Sequence, residues 1–333
     1  MLPKIFVTFI LLFFCFKIEF AFADTTDFRF EDKIRLKESI KMYNEIGEMV
    51  WKNSNDIPFA IILVTNENEY LINLSNPTDD FKSLGYDSIV TSEVFVRPRQ
   101  FNKNLLATFP AVNGVSTIVV GLPENTSRPS MDWMVTILHE HFHQLQASKP
   151  GHYSDIDALG LRGGDNSGMW MLNYDFPYKE EKVDQQYKIL TQSAKKTYLS
   201  IDNPDFEINL SNYLDERKKF KELLSKKDYK YFSFQIWQEG LARYSEIKFA
   251  EFLKDFYTPS NELMKLNDYV SPDSFYTRIL NRLLRRADFQ DLANDKRDCF
   301  YTLGALEGLI LDKVNPQWKD LYFKEKFFIE NYF

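Results

Sequence analysis

The residues whose types and spacing could bind a metal ion lie at positions 139–143, in the sequence His-Glu-His-Phe-His. This segment fits the pattern HExxH, in which two histidines four positions apart enclose a glutamate. On a helix, His139 and His143 share one face, so that two imidazole nitrogens can reach a single ion. Glu140 lies one step round the helix, where its carboxylate can take a proton from a metal-bound water. The spacing therefore predicts one zinc ion with two histidine ligands and a nearby base.

The remaining residues around the motif indicate that it lies on a helix. His141 points about 200° away from His139 around a helical wheel, so we do not expect it to be a ligand. A strand would bring all three histidines to one face, but the neighbouring apolar residues recur at helical spacing. They are Met134, Ile137, Leu138, Phe142 and Leu145. The pattern predicts a helix with Ser130 as its N-cap and a stop at Pro150-Gly151.

A catalytic zinc site needs a third protein ligand, and the sequence offers two kinds of candidate. One is His152, which lies beyond the end of the predicted helix, and the other is a carboxylate further along the chain. A second amphipathic pattern at about 229–256 carries Glu239 and Glu246, which are seven positions apart and share a helical face. One of these carboxylates could bind the metal while the other holds a ligand imidazole in place. The presence of Glu239 on this helix is explained equally well by an ion pair with Arg243.

The two predicted helices resemble those of the gluzincin metallopeptidases, in particular the aminopeptidase N and glycyl aminopeptidase types. In that family the HExxH helix is followed by a helix with a W-x-x-E-G-x-x-x-Y-x-E-like pattern, whose first glutamate is the third zinc ligand. The segment EGLARYSE, from Glu239 to Glu246, matches this pattern, although Trp237 stands one residue closer. The resemblance implies that Glu239 is a zinc ligand and that Glu246 holds a ligand histidine.

Two further segments are similar to sequences of the same family. The segment YTLGAL, which begins at Tyr301, is similar to Y-x-K-G-A, with Leu303 where lysine is usual. The resemblance implies that Tyr301 stabilises the oxyanion, whereas packing in the core is its other interpretation. The segment GLPEN is similar to G-x-M-E-N and implies that Glu124 binds the free amine of a substrate. The proline of GLPEN is unfavourable inside a strand.

The implied activity is metal-assisted hydrolysis of a peptide bond. Zinc held by His139, His143 and Glu239 would lower the pKa of its water. Glu140 would accept the proton and pass it to the leaving amine, while Tyr301 would donate a hydrogen bond to the oxyanion. The alternative is a zinc-containing binding or scaffold protein of the cell envelope that has lost turnover. Both trimming of peptide ends and internal cleavage are compatible with the motifs.

Other segments suggest how a peptide or protein substrate is held. We expect an extended peptide to pair with the predicted strand Ser116–Leu122 by strand addition, with the aromatic stretch Met169–Tyr178 as a wall or lid. An anionic substrate could also be gripped by one face of a helix, although a solvated surface accounts for that face equally well. The residues of this face are Arg278, Arg282, Arg285 and Arg286.

The pattern along the chain predicts an α+β fold. A small mixed α/β lobe with an antiparallel-containing sheet is expected at 24–130. A mainly helical lobe at 131–333 carries the zinc motifs, with an inserted segment at about 150–230. The first lobe should contain a helix at 28–52 and strands at 58–65, 70–74, 88–97 and 116–122, the first two strands forming a hairpin.

The N-terminus predicts export. An apolar run from Ile5 to Phe16 follows a lysine and precedes Ala-Phe-Ala, which is typical of a signal peptide at residues 1–23 with cleavage before Asp24. The run is short of the about 20 apolar residues that cross a bilayer, so no stable span is expected after cleavage; an uncleaved anchor is the alternative. The mature protein would be periplasmic or secreted. Cys299 would be its only cysteine, which excludes an internal disulfide.

The composition excludes two classes of protein. Hydrophobic residues make up 44% of the 333 residues, which is enough for a packed core and excludes a disordered chain. The formal net charge of -7 provides no broad positive field for phosphates, so nucleic acid is not an expected partner.

Overall fold

The computed structural model describes residues 27–333. Its fold is α+β, as predicted, with a six-stranded mixed sheet followed by a mainly helical region. The predicted signal peptide at 1–23 lies outside the described residues. Within 27–333, none of the helices combines the length and the apolar character that crossing a lipid bilayer requires.

The first part of the chain consists of one helix and six strands. They are α1 (Phe30–Val50), β1 (Ile61–Val64), β2 (Asn68–Ile72), β3 (Lys82–Asp87), β4 (Ser92–Pro98), β5 (Leu106–Val112) and β6 (Val115–Gly121). Helix α1, the β1–β2 hairpin, β4 and β6 confirm the predicted elements to within a few residues. Strands β3 and β5 were not predicted, because β3 is largely exposed and β5 contains a proline.

The second part is helical. Its elements are α2 (Ser130–Ala147), α3 (His152–Ala158), α4 (Trp170–Asn173), α5 (Glu181–Leu199), α6 (Phe206–Leu223), α7 (Lys226–Gln235), a π-helical turn (Ile236–Gly240), α8 (Leu241–Phe256), α9 (Asn261–Met264), α10 (Pro272–Asp288), α11 (Leu292–Asp295), α12 (Asp298–Val314), α13 (Trp318–Tyr322) and a 3-10 turn (Ile329–Tyr332). Helices α5 and α6 pack on each other, and α5 also packs on α12. The segment predicted as an insertion thus contributes buried residues of α5 and α6 to the main core, and its character as an insertion stays a prediction.

The sheet has the strand order β3-β4-β2-β1-β6-β5. Strands β1 and β6 are parallel, and every other neighbouring pair is antiparallel. Strand β5 therefore has one free edge, where Pro110 is tolerated because an edge strand can lack a ladder donor on its outer side. Strand β5 also packs on α2, the first long helix of the helical part.

Both faces of the central strands are buried. One face packs under α1 and α2 in a core that extends from Phe28 to Tyr332, and Ile61, Leu63 and Ile118 belong to it. The opposite face carries a smaller apolar cluster that includes Ile62 and Val119. Strands buried on both faces are apolar almost throughout, which explains why β1 and β6 were recognisable in the sequence. The division of the chain into lobes at residue 130 stays a prediction.

The start of α2 differs from the sequence prediction. Pro129 occupies the N-cap position with an extended backbone, and Ser130 is the first helical residue. The backbone N–H and the hydroxyl of Ser130 each donate a 2.7 Å hydrogen bond to the carboxylate of Asp268. Ser130 is therefore wrong as the predicted N-cap, because a residue remote in sequence binds the free N–H of this helix end.

Candidate metal centre

His139, His143 and Glu239 form a group that can bind a metal ion. The two histidines lie on α2, and their Nε2 atoms are 3.2 Å apart. Oε2 of Glu239, on the π-helical turn, lies 3.6 Å from Nε2 of His139 and 3.5 Å from Nε2 of His143. Ligand atoms of a tetrahedral site with bonds of about 2.1 Å are separated by about 3.4 Å. The three separations therefore fit one metal ion with a fourth position left for a small ligand.

Each histidine has a side-chain oxygen within 2.7 Å of its other ring nitrogen. Nδ1 of His139 lies 2.7 Å from Oε1 of Glu246, and Nδ1 of His143 lies 2.7 Å from Oε1 of Gln146. These contacts favour the tautomers that carry the proton on Nδ1, so that both Nε2 lone pairs face the same point. Glu246 thus has the predicted position beside a ligand imidazole. Gln146 was missed, although its spacing of three from His143 on one helix could have identified it.

The electrostatics of the triad favour positive charge at its centre. Burial lowers the pKa of His139, but its contacts with Glu239 and Glu246 outweigh burial and raise the pKa to about 9. Burial raises the pKa of Glu239, but the two histidines hold it well below its usual range. For Glu246, Arg243 and His139 likewise outweigh burial and lower the pKa to about 2. A group of ionised carboxylates around two imidazoles is a suitable environment for a divalent cation.

Glu140 is oriented by a residue that the sequence analysis missed. The hydroxyl oxygen of Thr108 lies 2.9 Å from both Oε2 and the backbone oxygen of Glu140. Thr108 lies on β5, so this contact joins the edge strand to the helix that carries the histidines. No local pattern identified Thr108, because its strand was itself not recognised.

Tyr301 lies beside the triad, as its predicted role requires. Its ring is nearly parallel to that of His139, with centroids 6.3 Å apart and an interplanar angle of 8°. Nη1 of Arg297 donates a 2.8 Å hydrogen bond to the hydroxyl of Tyr301 and lies 3.7 Å from Oε1 of Glu239. Burial is the main cause that raises the pKa of Tyr301 well above its usual value, so the phenol keeps its proton. Arg297, one helical turn before Tyr301, was not predicted.

Two glycines set the distance between the helices that carry Glu239 and Tyr301. Gly240 in the π-helical turn meets Gly304 on α12, and a Cβ added at Gly304 would lie 2.5 Å from Cα of Gly240. Only a pair of residues without side chains permits so close a crossing. The π-helical turn inserts one extra residue in the helix, which changes the direction of Glu239 relative to α8.

The other candidate residues lie away from the triad. His141 is buried between Tyr43 and Phe59, and burial lowers its pKa to about 4, which agrees with its interpretation as a non-ligand. His152 packs against Trp237. Glu124 is half-exposed, and its Oε1 lies 2.8 Å from Nη1 of Arg29. The structure therefore brings neither His152 nor Glu124 into contact with the triad.

The predicted pairing of a peptide with Ser116–Leu122 is wrong. This segment corresponds to β6, which lies between β1 and β5 and is hydrogen-bonded along both edges. The free edge next to the triad belongs to β5. The aromatic stretch Met169–Tyr178 packs on α7, where Tyr174 stacks on Tyr231. Its predicted role as a wall or lid stays a prediction.

The site can thus hold a divalent cation, accept a proton at a fixed carboxylate and donate a hydrogen bond from a tyrosine. These groups come from three separate parts of the chain: a strand and helix at 106–147, the π-helical turn, and α12. Comparison of the chain with models of protein families, with curated proteins and with solved structures finds no match.

Proposed function

We propose that this chain is a zinc-dependent peptidase of the gluzincin type. The observation that supports this proposal best is the set of distances among His139, His143 and Glu239, which matches the edges of a tetrahedral site. Two imidazoles and one carboxylate are a donor set of catalytic zinc sites, whereas magnesium and calcium prefer oxygen ligands alone. Zinc bound by this group would lower the pKa of a water molecule and polarise a carbonyl.

Glu140 transfers the proton in this proposal. The contact with Thr108 holds one carboxylate oxygen, Oε2, and restricts the rotation of the side chain. The carboxylate accepts a proton from the attacking water and returns it to the leaving amine, as a general base and then a general acid. Since Thr108 belongs to a strand paired with β6, the carboxylate is oriented before substrate binds.

Tyr301 stabilises the negative charge that develops on the carbonyl oxygen. Arg297 donates to the phenolic oxygen, and the hydroxyl keeps its proton, which lies near Glu239 and can be donated to the carbonyl oxygen of a substrate. The guanidinium also withdraws electron density from the phenol, which strengthens that bond. Arg297 thereby supplies a positive charge in a region where the resembling family has a lysine and this chain has Leu303.

A peptide substrate would lie along the free edge of β5. The N–H of Gly121 donates to the oxygen of Leu105, so alternate residues of β5 from this position bond to β6. The residues between them, which include Thr108, direct their backbone groups to the free edge. An added strand would therefore run beside the residue that holds Glu140.

The proposed location is outside the cytoplasm, in the periplasm or the medium. This proposal rests on the predicted signal peptide at residues 1–23. Sequencing of the mature N-terminus is expected to begin at Asp24. A mature protein that retains Met1 would indicate an uncleaved anchor instead.

The decisive experiment measures metal content and hydrolysis of a mixed peptide library by the 24–333 protein and by Glu140→Gln. We expect one equivalent of zinc in both proteins and cleavage by the parent alone, since glutamine keeps the shape of the side chain but cannot accept the proton. Zinc in both without cleavage by either would support the zinc-containing binding protein. Absence of zinc from the parent after incubation with the metal would refute the proposal.

A further inference from the structure

A cavity of about 320 Å³ lies next to the metal centre, between α8, α10 and α12 and the segment that precedes α2. Its lining is rich in arginine, although the chain as a whole carries a formal charge of -7. The charged and polar residues that matter most are Arg128, Arg243, Arg282, Arg286, Asp298 and Tyr301. The proposed peptidase mechanism gives the arginines no role.

Two of the four arginines are already paired. Nη1 of Arg243 lies 2.5 Å from Oε2 of Glu246, and Nη1 of Arg282 lies 3.0 Å from Oδ1 of Asp132. Arg128 and Arg286 have no carboxylate oxygen within 4.0 Å among residues 27–333. In addition, Nε of Arg128 is buried and has no hydrogen-bond partner in that part of the chain. The cavity therefore has two guanidinium groups outside direct ion pairs and one buried donor, Nε of Arg128, that no described residue satisfies, while Asp298 is the one acidic residue of its lining.

The cavity is connected to the metal centre through two side chains. Tyr301 lines the cavity, and its ring lies against that of His139. Arg243 also lines the cavity and pairs with Glu246, which in turn contacts His139. A group bound in the cavity is thus separated from the triad by about the width of one side chain. An extended peptide advances about 3.3–3.6 Å per residue, so two residues cover this distance.

We propose that the cavity binds a carboxylate of the peptide substrate within about two residues of the cleaved bond. This inference rests on the proposed function. Guanidinium groups bind carboxylates through paired, charge-assisted hydrogen bonds. Arg128 and Arg286 are the two arginines of the cavity whose guanidinium groups are not paired with a carboxylate of residues 27–333. The apolar side chains of Ile247 and Leu283 in the same wall suit the methylene groups of an acidic side chain. The carboxylate belongs either to an aspartate or glutamate side chain or to the C-terminus of a short peptide.

The test compares matched peptides on matched proteins. One peptide series carries glutamate or its neutral isostere glutamine at each position around the cleaved bond, and a second ends in a carboxylate or an amide. The proteins are the parent, Arg128→Ala, Arg286→Ala and the control Arg285→Ala. Arg285 is exposed on the same helix as Arg286 but does not line the cavity. Calorimetric binding of the same peptides to Glu140→Gln, with and without each arginine substitution, provides a readout that does not need turnover.

We expect a preference of roughly tenfold or more for the charged peptide in both kcat/KM and affinity, the size of a hydrogen bond to a charged group. Arg128→Ala and Arg286→Ala should each remove most of this preference and leave cleavage of the glutamine peptide within about twofold, whereas Arg285→Ala should retain it. The preference should also fall as salt increases. Preference for internal glutamate identifies a side chain as the occupant, and preference for a terminal carboxylate over its amide identifies the C-terminus.

Three results would overturn the inference. They are equal kcat/KM and affinity for charged and neutral peptides, a preference for the charged peptide that remains in both Arg128→Ala and Arg286→Ala, or an equal loss of that preference in Arg285→Ala. These outcomes are separate from failure of the proposed function. If the parent cleaves no peptide, the peptidase proposal fails, and the calorimetric titrations still decide whether the cavity binds carboxylates. If cleavage is strong but indifferent to charge, the peptidase proposal stands and the inference does not.

Discussion

The close crossing of the π-helical turn and α12 holds Glu239 near the two histidines, and Gly304→Ala perturbs this crossing directly. A Cβ at position 304 would lie 2.5 Å from Cα and 3.0 Å from the carbonyl carbon of Gly240. Carbon atoms in contact prefer separations of about 3.5–4.0 Å, so the two backbones must move apart by about 1 Å. Because the obstructing atoms belong to the backbone, no change of rotamer can relieve the contact.

The expected effects on stability and on metal binding differ in size. Overpacking typically destabilises a protein by about 1–3 kcal/mol, while alanine in a helix recovers about 1 kcal/mol relative to glycine. The net loss in the free energy of unfolding should therefore be about 0–2 kcal/mol. Metal–ligand distances tolerate only about 0.2 Å, so a displacement of about 1 Å removes Glu239 from the site. We expect the zinc affinity to fall by at least about tenfold, the effect of disturbing residues that orient a ligand.

The assay is competition for zinc with a chromogenic chelator, together with thermal unfolding of the metal-free proteins. Gly308→Ala, one helical turn further along α12, is the matched control, since its Cβ would lie 2.5 Å from Cδ2 of Tyr244, a side chain of α8. This control should lose stability without a change of more than about twofold in zinc affinity. The reasoning is refuted if Gly304→Ala binds zinc as tightly as the parent, or if both substitutions weaken zinc binding equally.

Three further substitutions test the supporting contacts. Thr108→Val should lower kcat/KM about tenfold with unchanged zinc content, because it removes a hydrogen bond to the Glu140 carboxylate; equal kinetics would exclude this role. Glu246→Ala should reduce zinc affinity about 10- to 100-fold in the chelator assay, since a ligand imidazole loses its acceptor, and an unaltered affinity would contradict that contact. Glu307→Leu should destabilise the protein by about 3–5 kcal/mol in urea unfolding, because the buried Arg217 guanidinium loses its 2.6 Å partner. A loss below about 1 kcal/mol would show that this ion pair contributes little.

Local spacing made parts of the site predictable. His139, Glu140 and His143 lie within one helical turn, so the geometry of the helix alone determines which of their side chains share a face. The apolar runs of β1 and β6 likewise identified the central strands. For Glu239 and Glu246 the spacing of seven indicated a shared face, but the π-helical turn modifies the direction of Glu239 in a way that the spacing does not show. In each case the relevant positions are close in sequence, and backbone hydrogen bonding fixes their relative directions before any distant contact forms.

Other features were determined only by the tertiary structure. Thr108 reaches Glu140 because β5, an edge strand with an unfavourable proline, packs on α2. The strand order makes β5, and not β6, the edge strand on this side of the sheet. Asp268 supplies the helix cap that Ser130 was expected to provide. The arginine cavity joins residues from four segments of the chain.

The sequence thus determined the chemical groups and their local directions, whereas the folded chain determined which groups meet. Residues 144–238 separate His143 from Glu239, and no periodic pattern specifies how so long a segment returns. That return depends on the packing of the core, and at the site itself on Gly240 and Gly304, whose missing side chains allow the backbones to approach. The free energy of such contacts comes from buried surface shared by distant segments, which is a property of the whole fold and not of any one window of sequence.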